Sequence, residues 1–435
     1  MRKAQVPSSR PQPASGHAKS SWPVVVVGAG AAGMTAALFA ARAGARVLLV
    51  ETRPRPGAKI RVSGGGRCNV LPSQVSLEDF HTSGSRNTLR NILFSWPLDE
   101  VRAFFEQDLG VPLVVEPTGK VFPVSQRPLD VVEALLRECA RAGVVLEGDA
   151  RTVAIRRIEE ASAGRDPHPG GGFEIETAGG RVHRGERLIL ATGGLSLPKT
   201  GSDGHGLSMA RELGVEVVST YPALVPLTTS EPLWKGLAGV SMRARLRAVR
   251  QGKLVEETER ELLFTHRGFS GPAVLDMSRH VTAGAAEVQI LVRWGGETAP
   301  DWERALRPSG KRRLATILRA HFSERFVGCA LQLVGLPPDR RESETSREER
   351  QRLVEFLERY PLPVSGDEGY ATAEVTGGGV ALSELHPKSL ESRRVPGLYF
   401  CGEILDAIGR IGGYNFLWAW VTGRTAGRAA ARRSA

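Results

Sequence analysis

The chain has 435 residues, 41% of them hydrophobic and 24% charged, which fits two or three globular units and excludes a wholly disordered polypeptide. Lys and Arg outnumber Asp and Glu by 58 to 47, a net charge of +11. That balance would attract phosphate-bearing cofactors, anionic substrates or nucleic acid, although a coding bias toward Arg is the plainer account of it.

The first 21 residues are basic and rich in Ser and Pro, with no apolar core. They read as a disordered tail and not as a secretory signal. Four valines (24–27) then read as a buried parallel strand, GAGAAG (28–33) as a tight turn, and MTAALFAARA (34–43) as a helix that Gly44 ends. RVLLV (46–50) is a second strand closed by Glu51, completing one βαβ unit. A further helix is expected over 130–143 and a strand over 144–146. Strands over 151–158 and 173–177 form an antiparallel layer joined by a Gly- and Pro-rich turn at 164–172, and RLIL (187–190) is a short buried strand.

From 217 to 367 the pattern changes. Segments 244–250 and 286–294 look like strands, and 311–326 and 346–360 like amphipathic helices. This reads as an insert domain with a β part and a small helical part near 300–360. The first pattern resumes near Tyr370, with a strand over 397–401 and a helix over 414–431. The expected fold is α/β: a discontinuous Rossmann-like domain (22–216 and 368–435), with a parallel sheet and an antiparallel layer, interrupted by the insert.

No run of about 18 apolar residues occurs, so no transmembrane helix is expected. The four cysteines (Cys68, Cys139, Cys329, Cys401) lack CxxC spacing. They suit a reducing, cytoplasmic compartment and signal no metal site.

GAGAAG sits between a strand and a helix, where GxGxxG binds a dinucleotide. Gly28 permits the turn, Gly30 lets the pyrophosphate approach, and Gly33 lets the helix pack on the strand. Ala31 and Ala32 begin a helix whose free N–H groups attract phosphate. Glu51, followed by Thr52, is placed to accept hydrogen bonds from ribose hydroxyls, and it disfavours a 2′-phosphate.

ATGG (Ala191, Thr192, Gly193, Gly194) follows a strand in the place that FAD-dependent Rossmann proteins use for it. CGEILD (401–406) and RIGGYN (410–415) form a Gly-rich turn that opens a helix, a second anion site that would stabilise a reduced flavin; an N-cap by Asn415 is the plainer alternative. KIRVSGGGRCN (59–69) reads as a ligand-contacting segment in which Arg67 pairs with phosphate. His266, in ELLFTHRGFSGP (261–272), is the one candidate acid or base, against a plain structural histidine at a turn. Cys68 is a weaker candidate for a flavin adduct or an oxidation sensor, against a small packing residue.

Together, ETRPRPGAKIRVSGGGRCNV (51–70), LILATGGLSLPKTGSDGHG (188–206), YPALVPL (221–227), ELLFTHRGFSGPAVLDMSR (261–279), AEVTGGGV (373–380) and GLYFCGEILDAIGRIGGYNFLWAWVTGRTAG (397–427) resemble the aminoacetone-oxidase-like and bile-acid-reductase-like FAD proteins. The resemblance spans 23–428. It implies non-covalent FAD and, for some members, NAD(P). It carries FAD contacts onto Gly28–Gly33, Glu51, Lys59, the stretch Ser63, Gly64, Gly66, Arg67, Cys68 and Asn69, and the ATGG turn. It adds Gly402, Glu403, Asp406, Gly412, Gly413, Tyr414, Asn415 and Phe416, with Val153 giving backbone contacts to adenine. Ile408 and Arg410 depart from the smaller or acidic residues expected there.

The leading expectation is therefore an FAD-dependent oxidoreductase acting on a small molecule, with hydride passing to or from flavin N5. With no second GxGxxG, NAD(P)H would bind transiently at the flavin face. Neither a nucleic-acid nor a membrane partner is expected. A flavoprotein of nucleic-acid (tRNA) modification and a non-catalytic flavin-binding protein are the alternatives.

Overall fold

The computed structural model describes residues 21–158, 171–284 and 288–432. The tail expected over 1–20, most of the turn at 164–172 and the first residues of the strand expected over 286–294 lie outside the described residues. Ser21, expected in the tail, already begins the first strand, Ser21–Val27.

That strand is the centre of a seven-stranded sheet. It pairs in parallel with Val47–Val50 on one side and Val182–Leu190 on the other. Val145–Glu147 extends the sheet in parallel beyond Val47–Val50, and Leu398–Phe400 pairs in parallel with the end of Val182–Leu190. The beginning of Val182–Leu190 turns to Gly172–Thr177 and then Thr152–Ile158, both antiparallel. The central strands are fully buried valines and leucines, as a sheet covered on both faces requires. The expected α/β class, parallel sheet and antiparallel layer are all present.

Two helices fix the geometry of the crevice at the strand ends. Ala31–Arg42 follows the glycine turn, and Tyr414–Ala431 lies against it. Their backbones touch through glycine: a Cβ on Gly423 would lie 2.5 Å from Ala32 O, and one on Gly427 would lie 2.2 Å from Ala36 O. Indole groups lock the second helix: Trp418 Nε1 donates to Gly402 O (3.2 Å) and Trp420 Nε1 to Val70 O (3.1 Å).

Residues 227–362 hold a second hydrophobic cluster, distinct from the one around the parallel sheet. Its sheet is antiparallel, built mainly from Ser241–Arg250, Lys253–Phe264 and Val288–Trp294. Trp234, Phe264 and Trp294 stack at its centre with ring centroids 5.5–5.8 Å apart. Strand Val217–Ala223 pairs with Val375–Val380 where the chain passes between the two clusters.

Two local expectations change. The helix expected over 311–326 is two helices, Leu314–Arg319 and Glu324–Leu333. Ser323 Oγ accepts from Phe326 N–H (3.4 Å) and starts the second, so local capping outweighs the continuous periodicity. The long strand Lys253–Phe264 is an addition. Its glutamates pair across to Arg243, Arg245 and Arg247, which masks the apolar alternation of a half-buried strand.

The helix contact generates a test. Gly427→Val has no room for its side chain and is expected to cost about 1–3 kcal/mol through overpacking. Urea unfolding of the variant should show a lower midpoint than wild type; an equal midpoint would mean that the helices do not meet at this position.

Candidate functional site

A cavity of about 660 Å³ runs from the glycine turn, past the N-terminal turns of the two helices, to the 410–413 turn. Its first wall is the turn itself. Gly28 has φ +102°, and a Cβ there would lie 2.5 Å from Ala191 O, so only glycine fits. A Cβ on Gly33 would sit 1.7 Å from Gly28 O. By contrast a Cβ on Gly30 would meet nothing within 4 Å, because it would project into the open cavity. No side chain caps the helix that begins at Ala31, so the N–H groups of its first turn are offered to the cavity.

Glu51 closes this end. Ala29 N–H donates to its Oε2 (2.6 Å) and Arg53 N–H to its Oε1 (2.8 Å). Burial nonetheless raises its pKa above the usual carboxylate value, against those two hydrogen bonds. Arg151 and Asp203, paired at 2.7 Å, line the same end.

Thr152, Thr192 and His205 line the cavity, but Thr152 Oγ1, Thr192 Oγ1 and His205 Nε2 are packed away from it, without a hydrogen-bond partner among the described residues. A glycine cradle and a free helix N-terminus together fit a dinucleotide, and FAD is the dinucleotide that the motifs imply.

The middle of the cavity is a closed polar network. Lys59 Nζ meets Glu403 Oε2 (2.5 Å) and Ser196 Oγ (2.7 Å), and Glu403 Oε1 accepts from Ser196 Oγ (2.6 Å) and Thr376 N–H (3.0 Å).

At the far end Gly413, φ +94°, starts the helix with no side-chain cap. Asn415 does not cap it; its amide instead exchanges two hydrogen bonds with the backbone of Gly409 (2.8 and 2.9 Å). In the amide orientation that satisfies both its ends, Asn69 accepts from Gly413 N–H (3.1 Å) and donates to Leu71 O (3.1 Å). Asp276 reaches across from the second cluster. Ile411 N–H donates to its Oδ1 and Arg260 Nη1 to its Oδ2, both at 2.8 Å.

Most of the residues expected to contact FAD line this cavity, from the glycine turn through Thr52, Lys59 and Ser63 to Gly412 and Phe416. Seven do not. Gly33 and Gly194 are packing glycines, Gly194 against Thr376. Gly66 is exposed at the end of the segment Ala58–Gly66, which leaves helical geometry at Ser63. Cys68 is fully buried behind the wall. Asp406 binds Thr82 and Ser83, and Tyr414 accepts from Arg410 Nη2 (2.6 Å). Val153 points out of its strand, and Arg151 and Thr152 line the cavity in its place.

Arg67 lines the cavity, but its guanidinium is held by Glu116 (2.6 Å) and Gln126 (3.1 Å) over the Phe122 ring, not kept free for phosphate. His266 is exposed on a turn outside the cavity lining, and Thr265 Oγ1 accepts the N–H groups of that turn. It therefore neither reaches the candidate chemistry nor caps the turn.

Sequence reasoning passed over Lys120, Thr372 and Glu374 at the far end. The signal available was AEVTGGGV, quoted above for its glycines, whose acidic second residue is Glu374.

Burial pushes the Cys68 and Cys139 thiols up to about 12, the Cys329 thiol up to about 11, and the Cys401 thiol higher still. At neutral pH none is a thiolate, so a flavin adduct at Cys68 is not supported. A disulfide reagent should find no fast thiol in the native holoprotein and four after denaturation; one fast thiol in the native state would contradict this burial. Glu51→Ala should weaken FAD binding by about 1–3 kcal/mol, the worth of hydrogen bonds to a charged acceptor. Titration of the apoprotein checks it, and an unchanged Kd would remove Glu51 from the site.

Comparison with known proteins agrees with this geometry. Residues 22–429 match the family described as HI0933-like protein Rossmann domain. The chain is 34% identical over 400 residues to the ribosomal RNA dihydrouridine synthase of Escherichia coli K12, covering 91% of this chain and 94% of that protein. The synthase of the same name from Haemophilus influenzae is 31% identical, covering 91% and 95%. A 3-dehydro-bile acid delta(4,6)-reductase from Clostridium scindens is 32% identical over 420 residues, covering 94% and 98%. The chain belongs to the HI0933-like protein Rossmann domain family and is an FAD-dependent oxidoreductase.

Proposed function

We propose that the protein reduces a carbon–carbon double bond conjugated to a carbonyl, and that its substrate is a uracil ring in ribosomal RNA. The observation that carries this reading is the near full-length similarity to ribosomal RNA dihydrouridine synthases, at 34% and 31% identity. The bile-acid reductase supports the reaction class. Dihydrouridine differs from uridine by saturation of the C5–C6 bond beside the C4 carbonyl, and a 3-dehydro Δ4,6 system is likewise a carbonyl in conjugation with the bonds reduced. Two substrates of unrelated shape thus share one reaction. The net charge of +11 suits an RNA partner. This departs from the small-molecule substrate that led the expectations from the sequence and takes up the nucleic-acid-modification alternative, with ribosomal RNA in place of tRNA; under it the protein would act in the cytoplasm.

FAD, when bound, would supply a two-electron carrier, which NAD(P)H would reload. The chain's own residues bind and orient. First-turn N–H groups after Gly30 would face the pyrophosphate, and Glu51 would face ribose. The Lys59–Glu403–Ser196 network holds the middle of the cavity in one arrangement. The helix start at Gly413 would favour negative charge at the ring's pyrimidine edge. In this reading the insert, 217–367, covers the substrate side.

A second reading, reduction of a free small enone, is favoured by the bile-acid reductase alone. The discriminating assay incubates holoprotein and NAD(P)H anaerobically with rRNA from cells lacking the gene, and separately with a 3-oxo-Δ4 steroid. Nucleoside mass spectrometry should show dihydrouridine rising in the rRNA. Steroid reduction without dihydrouridine would select the second reading, and failure of both acceptors would overturn the reaction class.

A further inference from the structure

We propose that Glu374 is the catalytic acid of this site, delivering a proton to one carbon of the double bond while the other carbon receives hydride. The inference rests on the double-bond reduction proposed above and goes beyond it by naming the proton source.

The cavity offers few free acids. Glu51 is engaged by Ala29 and Arg53 N–H groups at the opposite end. Glu403 is tied to Lys59, Ser196 and Thr376. Asp203 is paired with Arg151. The carboxylate of Glu374 has no hydrogen bond or ion pair among the described residues, yet it lines the cavity and keeps accessible surface there.

Its backbone is pinned on both sides. Its N–H donates to Leu224 O (3.2 Å) and its carbonyl accepts from Ser196 Oγ (3.3 Å). The side chain is therefore presented from a fixed support, at the end of the cavity that holds Ile411 and Gly412.

The groups facing Glu374 are Lys120 from the strand Lys120–Pro123 and Asp276 from the helix Pro272–Met277. The Lys59–Glu403 pair stands behind Ser196. Glu374 is an exposed residue of the cavity wall, and partial loss of surrounding water there raises its pKa; Lys120 opposes that rise and Asp276 adds to it. A carboxyl with a raised pKa stays protonated over a wider pH range, as an acid needs to.

The step balances. A hydride from the bound reduced flavin would go to the carbon β to the carbonyl, the π pair would shift toward the α carbon and carbonyl oxygen, and the α carbon would take the Glu374 proton. The flavin would be left oxidised, for NAD(P)H to re-reduce, and the Glu374 carboxylate would regain a proton from water.

Glu374→Gln should slow reoxidation of the reduced holoprotein by the substrate about 100-fold or more, the usual weight of a general acid. Glu374→Asp should recover part of it. In wild type the rate should fall as pH rises through the Glu374 pKa, and that limb should vanish in Glu374→Gln. A readout independent of substrate is the visible spectrum of the oxidised holoprotein against pH. It should titrate in wild type and not in Glu374→Gln. Wild-type rates or an unaltered pH limb in Glu374→Gln would overturn the proposal. If Glu374→Gln does not fold, an unaltered limb in Glu374→Asp would do so. If wild type itself reduces neither rRNA nor enone, the reaction class has failed, while the spectral titration still decides whether Glu374 faces the flavin.

Discussion

The architecture of the site depends on backbone meeting backbone at glycine. Ala191 O comes so close to the turn that a Cβ on Gly28 would sit 2.5 Å away, and Gly33 is jammed on Gly28 O. These contacts press the turn between the ends of two parallel strands and the start of its helix: Gly28 and Ala29 N–H donate to Val50 O and Glu51, and the N–H groups of the helix's first turn are left to the cavity. The same constraint repeats one layer out, where Gly423 and Gly427 bring the C-terminal helix onto Ala32 and Ala36. Helix separation therefore sets where Gly412 and Gly413 stand relative to Gly28 and Gly30, and so the length of ligand that the cavity admits. Interiors packed this closely transmit a misfit and do not absorb it.

What was legible in the sequence follows from the range of the forces involved. The βαβ unit at 24–51 is written locally: an apolar run, glycines at fixed spacing, a strong helix former and a closing acid. The α/β class and the parallel sheet follow from it. What was not legible depends on partners distant in the chain. Arg67 looks like a phosphate ligand until Glu116 is folded against it, and Glu374 is an ordinary acid until Lys120 and Asp276 are brought around it. His266 misled for the same reason: its residue type suggests chemistry, but the fold leaves it on an exposed turn. The split at Ser323 was readable, since Ser followed by Glu is a helix start, but the longer periodicity obscured it.

The charges of the cavity are largely spent on each other. Lys59 answers Glu403, Arg67 answers Glu116, and Arg151 answers Asp203. A ligand pyrophosphate would be met mainly by backbone N–H groups and helix dipoles, which are fixed in place before binding and lose no side-chain entropy on meeting it.

The second cluster is joined to this site through one buried acid. Asp276 accepts from both Ile411 N–H and Arg260, and Arg260 also reaches Ile411 O (3.4 Å). Burial raises the pKa of Asp276, with Arg260 the chief opposing influence. Removing one partner of such a buried pair leaves an uncompensated charge, at a cost of about 3–5 kcal/mol. The 410–413 turn, which lines the cavity and opens the helix Tyr414–Ala431, is therefore tied to the second cluster through this acid, and the position of that cavity wall is set by the packing of both clusters.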